Sequence, residues 1–380
     1  MKRRRDFLRT AVGATSMVLM AACSGGSSPS SAAPTAAATA APAAPVAAPT
    51  PAPAAVALAA AAGTGDLAAV YADAKKEGTV IWWTAHYSQS AAEAVRDAFV
   101  AKYPGIQVEF IRQTAQVVYQ RLTESMKAGT HALDVFASTD EAHYLTLKQQ
   151  GALAAYTPVG VDGLPPAYRN IDPDQTYHVG ALAFVLVNFN PSKVTAPPKS
   201  WSDFLDSKWK DQITVGHPGF SGLVGNWAVA MWDKYGWDYF TKLAANNPKI
   251  GRSINDTVTD IVSAERVVGA GPDNYSLERK TAGDPIDVAF PDDDAILVVS
   301  PVAILKDAPH PQAARLFESF FYSTEYSQTM AKTSNYPLRS EVSPASGKAI
   351  DAVKWYRNKP DRLLTGVPEA TGKWRETFGV

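Results

Sequence analysis

Strand-like and helix-like segments alternate through residues 67–137 of this 380-residue chain. Apolar residues at helical spacing begin at Leu67, and Gly78 follows as a helix stop signal. The segment 79–84 (TVIWWT) is rich in aromatic and β-branched residues, which predicts the first strand. Further helices and strands alternate as far as Ala137. This order predicts an α/β fold in which parallel strands are joined by right-handed helical crossovers.

A second set of strands and helices follows residue 186. Two long apolar segments, 179–188 and 296–304, precede and follow this set, and each can carry the chain from one set to the other. About 315 residues follow residue 65, which is more than one hydrophobic core usually holds. We therefore predict two α/β lobes joined by two crossing strands, with a hinged cleft between them. The predicted boundaries are a signal peptide at 1–22, a linker at 23–65, lobe 1 at 66–185 with 300–380, and lobe 2 at 186–299.

The first 22 residues have the composition of an export signal. Arg4 and Arg5 stand just before Phe7-Leu8, a pattern that resembles a twin-arginine signal, and a mild apolar run continues to Ala22. Cys23 ends this run in a setting that resembles a bacterial lipobox, which predicts lipidation of Cys23 after cleavage. As the only cysteine it cannot form an internal disulfide. We expect an exported, membrane-anchored protein that lies in a periplasm or on the outer cell surface.

The tract that follows the signal is unlike the rest of the chain. Residues 24–63 carry no charge and are mostly Ala, Pro, Ser and Thr, a composition that cannot form a core and that suits a spacer. Loss of residues 1–22 would remove five basic residues and one acidic residue, so the mature chain would be acidic. An acidic chain is a poor binder of nucleic acid. No later segment has the apolar run of a membrane helix, and we expect a monomer.

Polar loops follow the predicted first and third strands. They are Ala85-His86-Tyr87-Ser88 and Ser138-Thr139-Asp140-Glu141, and each precedes a helix. Ligands of parallel sheets bind beyond the carboxyl ends of the strands, and helix N-termini attract anions. For any single hydroxyl in these loops, helix capping is the simpler interpretation. Together the loops predict one wall of a ligand site.

Four segments in order resemble the extracellular solute-binding proteins of ABC importers. They are 80–108 (VIWWTAHYSQ…), 132–156 (ALDVFASTDE…), 197–215 (PPKSWSDFLD…) and 301–328 (PVAILKDAPH…). The resemblance extends from about residue 78 to 340 and is strongest to the ferric-ion-binding branch and its relatives for phosphonates, sugar phosphates and thiamine. It implies a type II periplasmic binding fold, whose two lobes close on a ligand and present it to a membrane permease.

The resemblance also implies where a metal would be bound. Iron-binding members use a histidine, a glutamate and two adjacent tyrosines; His86 and Tyr275 match the histidine and the first tyrosine. Thr139 and Ser276 stand in place of the glutamate and the second tyrosine. Iron(III) favours anionic oxygen donors, so these exchanges remove negative charge that the metal needs.

The anion-binding part of the family's site is better matched. Ser221-Gly222 at a helix start and Asn255 correspond to it, and Arg252 nearby can add a bidentate contact to a phosphate, phosphonate or carboxylate. We therefore predict that the ligand is a small organic or phosphorylated anion. The predicted ligand-binding residues are His86, Tyr87, Ser138, Thr139, Ser221, Gly222, Arg252, Asn255, Asn274 and Tyr275.

Other functions remain open at this stage. The first alternative is uptake of iron(III) or a ferric complex, held by His86 and Tyr275. A more distant one is a secreted hydrolase that uses Ser221, because Gly219–Leu223 half matches a nucleophile elbow, although Leu223 replaces its final glycine. The sequence lacks an HExxH helix, a Walker loop and a cysteine pair, so we predict neither enzymatic activity nor a cofactor. A tethered adhesion protein would share the leader and spacer but would not need two α/β lobes.

Overall fold

The computed structural model describes residues 66–380, and the predicted signal, Cys23 and the whole spacer lie outside the described residues. The first part of the chain alternates as the sequence predicts. Its elements are α1 Leu67–Glu77, β1 Thr79–Thr84, α2 Gln89–Lys102, β2 Gln107–Arg112, α3 Ala115–Lys127, β3 Val135–Ala137 and α4 Ala142–Gln149. Ser88 caps α2, with its hydroxyl accepting from the Ala91 amide at 3.2 Å.

The chain then crosses to the second part and returns. The remaining elements are β4 His178–Phe189, β5 Ile213–Gly216, α5 Gly222–Tyr235, α6 Asp238–Ala244, β6 Lys249–Gly251, α7 Ile254–Val262, β7 Val268–Pro272, α8 Asp273–Thr281, β8 Asp287–Ala289, β9 Ala295–Ile304, α9 Pro311–Phe320, α10 Thr324–Lys332, β10 Trp355–Tyr356 and α11 Pro360–Phe378. Residues 269–271 lie inside β7. Gly271 lies against the Asn188 side chain of β4, where a larger residue would not fit.

The strands form one continuous sheet in the order β2-β1-β3-β9-β4-β7-β5-β6, with β10 beside β9 and β8 beside β4. On one side β1 pairs in parallel with β2 and β3; on the other β5 pairs in parallel with β6 and β7. We call the half around β1 lobe 1 and the half around β5 lobe 2. The long strands β4 and β9 pair antiparallel between them and are the two crossing strands.

The crossing strands separate two hydrophobic cores. In β4, Leu182, Phe184 and Leu186 belong to the core of lobe 1. The alternate residues Ala183, Val185 and Val187 belong to the core of lobe 2. Because successive side chains of a strand point to opposite faces, β4 is buried on both faces and its sequence is continuously apolar. This arrangement is the mixed α/β fold with crossing strands that the sequence predicts.

The C-terminal helix α11 packs against both lobes: its Leu363 and Val367 cluster with Ala142 of α4 and Val229 of α5. The sequence assigned all of 300–380 to lobe 1, but Ala370 and Trp374 of α11 pack into the core of lobe 2 beside Trp227. The apolar stripe of α11 meets the apolar face of α5, which the linear order of the chain does not reveal. The other predicted boundaries stay predictions. Among residues 66–380, no helix is both long and apolar enough to cross a bilayer.

Candidate ligand-binding site

A small cavity of about 20 Å³ lies between the two lobes, beyond the carboxyl ends of the parallel strands. Ligands of open α/β sheets are expected at such a place. Lobe 1 supplies Ala85, His86, Arg112, Thr114, Ala115 and Thr139, and lobe 2 supplies Ser221, Leu223, Ser253, Ile254, Asn255, Pro272 and Asn274.

Three helices begin at this cavity. Thr114 precedes α3, Ser221 precedes α5 and Ser253 precedes α7, and all three residues line the cavity. Ser253 caps its helix through a reciprocal capping box with Asp256, whereas Thr114 and Ser221 make no capping hydrogen bond through their side chains. The first amide groups of α3 and α5 are therefore left to other acceptors, and the positive ends of three helix dipoles meet at one place.

Arg112 is the charged side chain of the cavity wall. It ends β2, and its Nε donates to the Tyr87 carbonyl oxygen at 2.6 Å, which fixes the guanidinium. Burial lowers the pKa of Arg112, and no carboxylate among residues 66–380 offsets that cost. A half-buried cation whose neighbours do not compensate its charge favours an anionic ligand.

His86 is a neutral polar group on the same wall. Its Nδ1 lies 2.8 Å from the Ser300 hydroxyl, and its buried Nε2 has no hydrogen-bond partner among the described residues. Burial lowers the pKa of His86 to about 4; the nearby Asn335 side chain opposes this shift, and the charge of Arg112 adds to it. The imidazole is therefore uncharged at neutral pH and offers the cavity one hydrogen-bonding nitrogen.

The amide side chain of Asn274 is fixed at the start of α8. Its Nδ2 donates to Asn335 Oδ1 at 2.8 Å, and its Oδ1 accepts from the Tyr275 amide at 2.8 Å. Thr139 is held through its backbone, where its carbonyl oxygen accepts from Asn226 Nδ2 at 3.4 Å. These polar residues occupy defined positions around the cavity, which is the preorganisation that a binding site needs.

The two lobes touch beside the cavity. A Cβ atom added to Gly222 of lobe 2 would lie 2.6 Å from the Thr139 carbonyl oxygen of lobe 1. The Ser90 hydroxyl on α2 also donates to the Glu278 carboxylate on α8. Gly222 thus contributes a close approach between lobes rather than a surface of the cavity.

The predicted ligand-binding residues divide into two groups. His86, Thr139, Ser221, Asn255 and Asn274 line the cavity, and their contact with a ligand stays a prediction. The predicted residues that do not line it are Gly222, Tyr87, Ser138, Arg252 and Tyr275.

Tyr87, Ser138 and Arg252 contact other side chains instead. The Tyr87 hydroxyl lies 2.5 Å from the Tyr326 hydroxyl, and the Ser138 hydroxyl lies 2.9 Å from His143 Nδ1. Arg252 is exposed, with its guanidinium 4.7 Å from the centre of the Phe220 ring.

Tyr275 bears on the iron alternative. Its hydroxyl accepts from Arg279 Nη1 at 3.2 Å, and its ring packs beside Val258 and Ile261. His86 faces the cavity and Tyr275 does not line it, so the structure does not assemble the predicted pair on one wall. Within residues 66–380 there is no group of three or more His, Cys, Asp or Glu side chains arranged to hold a metal.

Sequence reasoning missed Arg112, Thr114 and Ser253. The missed signal lies at the end of β2, where Arg112-Gln113-Thr114 follows the strand at the same sheet edge as the loops after β1 and β3. Ser253 lines the cavity, whereas its neighbour Arg252, which was predicted to bind the ligand, does not.

The sequence is similar to those of known bacterial binding proteins. The sequence model of the family described as bacterial extracellular solute-binding protein matches residues 131–358. A protein named as a 2-aminoethylphosphonate-binding periplasmic protein of Salmonella paratyphi A is 21% identical over 297 residues, which span 74% of this chain and 85% of the relative.

Solved structures share the fold at low sequence identity. The periplasmic binding protein AfuA of Actinobacillus pleuropneumoniae, with fructose-6-phosphate bound, has a TM-score of 0.71 and 19% identity and covers 80% of this chain and 99% of its own. Iron-bound HitA of Pseudomonas aeruginosa has a TM-score of 0.67 and 19% identity, with coverage of 79% and 99%. These likenesses support the type II periplasmic binding fold.

Proposed function

This chain belongs to the bacterial extracellular solute-binding proteins, which serve ABC importers, and on that premise we propose that it captures a small organic or phosphorylated anion between its lobes. The observation that carries this proposal is the wall of the cavity, where Arg112 and the starts of α3, α5 and α7 face one space. Each of these elements is stabilised by negative charge.

A bound anion would offset the free-energy cost of burying the Arg112 guanidinium. A guanidinium removed from water without a partner costs free energy, and an oxyanion that accepts its hydrogen bonds recovers that cost. The hydroxyls of Thr114 and Ser221 and the amides behind them can donate to further oxygens of the same anion. A phosphate, phosphonate or carboxylate has the several oxygen acceptors that this set of donors requires.

Capture requires that both lobes contribute. Arg112 and His86 lie on lobe 1, whereas Ser221 and Asn255 lie on lobe 2, so a bound anion makes its full set of contacts only when the lobes are together. A ligand shifts a conformational equilibrium by its difference in affinity for the two states. The anion therefore stabilises the closed state, which an ABC permease would then receive.

The leader and spacer would keep the protein close to its permease. Lipidation of Cys23 would hold the protein at the membrane, and the spacer at 23–65 would let the two lobes open and close near the permease. The body would act outside the cytoplasm, as a monomer and without catalysis or a resident cofactor. The relatives named as periplasmic support this location.

Iron(III) is the second candidate cargo. The unpartnered Nε2 of His86 is the observation that favours it, together with the shared fold of iron-bound HitA. The other donors of the cavity wall are hydroxyls, amides and a guanidinium, and the guanidinium would repel the metal. Titration with ferric citrate tests this candidate: a tyrosinate-to-iron absorption band would support iron, and we expect a colourless protein.

The anion proposal is tested by replacing Arg112. We expect Arg112→Gln to weaken binding of ethylphosphonate, inorganic phosphate or the anion that binds most tightly by about 10- to 100-fold, the usual worth of a charge-assisted hydrogen bond. Isothermal titration calorimetry measures the change, and mass spectrometry of ligand released from natively purified protein identifies the natural solute. Arg121→Gln on the exposed side of α3 is the matched control. Equal affinity in wild type and Arg112→Gln would contradict the proposal.

A further inference from the structure

The acids nearest to the cavity in sequence are all held away from it. Asp140 and Glu141 follow Thr139, Asp256 follows Asn255, and Asp273 stands between Pro272 and Asn274. Within residues 66–380, none of the side chains that line the cavity is a carboxylate. The wall is therefore positive although the chain around it is acidic.

Asp140 and Glu141 of lobe 1 are fixed by other groups. Asp140 accepts from the Ala142 amide at 3.0 Å and from Gln116 Nε2 at 3.2 Å. Glu141 accepts from Arg357 Nη2 at 2.6 Å and is almost completely buried. Moving either carboxylate into the cavity would break contacts that offset its burial.

The two acids of lobe 2 are fixed as well. Asp256 accepts from the Ser253 amide at 3.0 Å as the second half of a capping box. Asp273 is fully buried behind the cavity wall and accepts from the Phe184 amide at 2.9 Å. Asp256 cannot move into the cavity without loss of the cap of α7, and Asp273 cannot do so without loss of its hydrogen bond to Phe184 of β4.

From this arrangement we infer that the site selects against ammonium groups, so that the solute is an oxyanion whose remaining part is uncharged. An ammonium group taken from water needs a carboxylate or an aromatic face to offset its desolvation. Among residues 66–380 the cavity wall offers neither, since its one aromatic side chain is His86, and Arg112 repels a second cation. Zwitterions such as amino acids and aminophosphonates would therefore bind poorly. This inference rests on the proposed function and narrows its ligand class.

Matched pairs of anions test the inference on the mature, lipid-free chain at pH 7. Ethylphosphonate is compared with 2-aminoethylphosphonate, and propionate with β-alanine, by isothermal titration calorimetry. In every pair that binds, we expect the amino member to be at least 10-fold weaker. Equal or tighter binding of the amino member would overturn the inference and leave the anion proposal standing. If no anion of the panel binds, the anion proposal fails and the inference fails with it.

A single substitution tests the physical cause. Asn255→Asp places a carboxylate on the cavity wall, so the ratio of ethylphosphonate to 2-aminoethylphosphonate affinity should fall by 5-fold or more. Asn170→Asp makes the same change on an exposed loop of lobe 1 and should leave the ratio unchanged. An unchanged ratio in Asn255→Asp would show that the charge of the wall does not set selectivity and would overturn the inference. Circular dichroism confirms that both variants fold.

Discussion

At the scale of single residues, Asp273 gives the protein a pH-dependent stability. Burial raises the pKa of this carboxyl from 3.8 to about 7, although backbone amides such as that of Phe184 oppose the shift. The folded chain therefore holds this proton more tightly than the unfolded chain. The stability from Asp273 is present below about pH 4 and is lost as the pH rises towards 7.

Replacing Asp273 by asparagine should remove this dependence, because an amide keeps the acceptor for Phe184 but cannot ionise. We expect the free energy of unfolding of Asp273→Asn relative to wild type to rise by about 2–3 kcal/mol between pH 5 and pH 8. Urea denaturation of the ligand-free protein at both pH values measures this difference. A constant difference between the two proteins would show that Asp273 has an ordinary pKa.

The residue scale also shows where sequence reasoning stops. His86 and Thr139 could be predicted to line the cavity because they follow β1 and β3, whose pattern is recognisable in the sequence. In a parallel sheet, the loops after such strands lie at the same edge. Whether a side chain faces the cavity depends on its rotamer and neighbours. Tyr275 matched a ligand position, yet its hydroxyl accepts from Arg279, one helical turn away on α8. No periodicity in the sequence carries that information.

At the scale of elements, the segment before α11 ties the C-terminus to lobe 1. Arg357 donates to the buried carboxylate of Glu141 at the start of α4, and burial raises the pKa of Glu141. Asn358 donates to the Asn226 carbonyl oxygen at 2.9 Å, so the same segment also holds α5 of lobe 2. The segment thus contacts both lobes directly behind Thr139.

Removing Arg357 should be costly, because Glu141 would be left buried without a partner. We expect Arg357→Ala to lower the free energy of unfolding by about 3–5 kcal/mol. Arg362→Ala is the matched control: its partner Asp233 is a third exposed, and such a pair contributes about 0–1 kcal/mol. Thermal and urea denaturation at pH 7 compare the variants. If Arg357→Ala and Arg362→Ala lose similar free energy of unfolding, burial of Glu141 does not set the cost of removing its partner.

Elements were predicted well where their pattern is local. TVIWWT at β1 and the apolar strand β4 were recognised from β-branched and alternating or continuous apolar residues. The packing partner of α11 was not predicted, because its apolar stripe of Leu363, Val367 and Trp374 indicates only that one face of the helix is buried. Which lobe covers that face depends on α5, more than a hundred residues earlier in the chain. Contacts of that sequence separation leave no periodic signal.

At the scale of the whole molecule, one sheet serves both lobes and sets where they meet. The crossing strands β4 and β9 are buried on both faces, so they are a rigid connection rather than a flexible one. Opening and closing must then be absorbed at the ends of the crossing strands and in the surface contacts between lobes, such as Ser90 with Glu278. The close approach of Gly222 to Thr139 is another such contact beside the cavity, and it exists only when the lobes are together.

Gly222→Ala should therefore hold the lobes apart. The added Cβ would lie 2.6 Å from both the carbonyl and the hydroxyl oxygen of Thr139, and backbone atoms cannot move aside cheaply. With ethylphosphonate or the tightest-binding anion, small-angle scattering should show the wild type compact while the variant stays extended, with affinity at least 10-fold weaker. Gly372→Ala is the control, because no atom of residues 66–380 lies within 4 Å of its added Cβ and alanine favours the helix interior. A variant that binds and compacts like the wild type would show that the Gly222 contact does not limit closure.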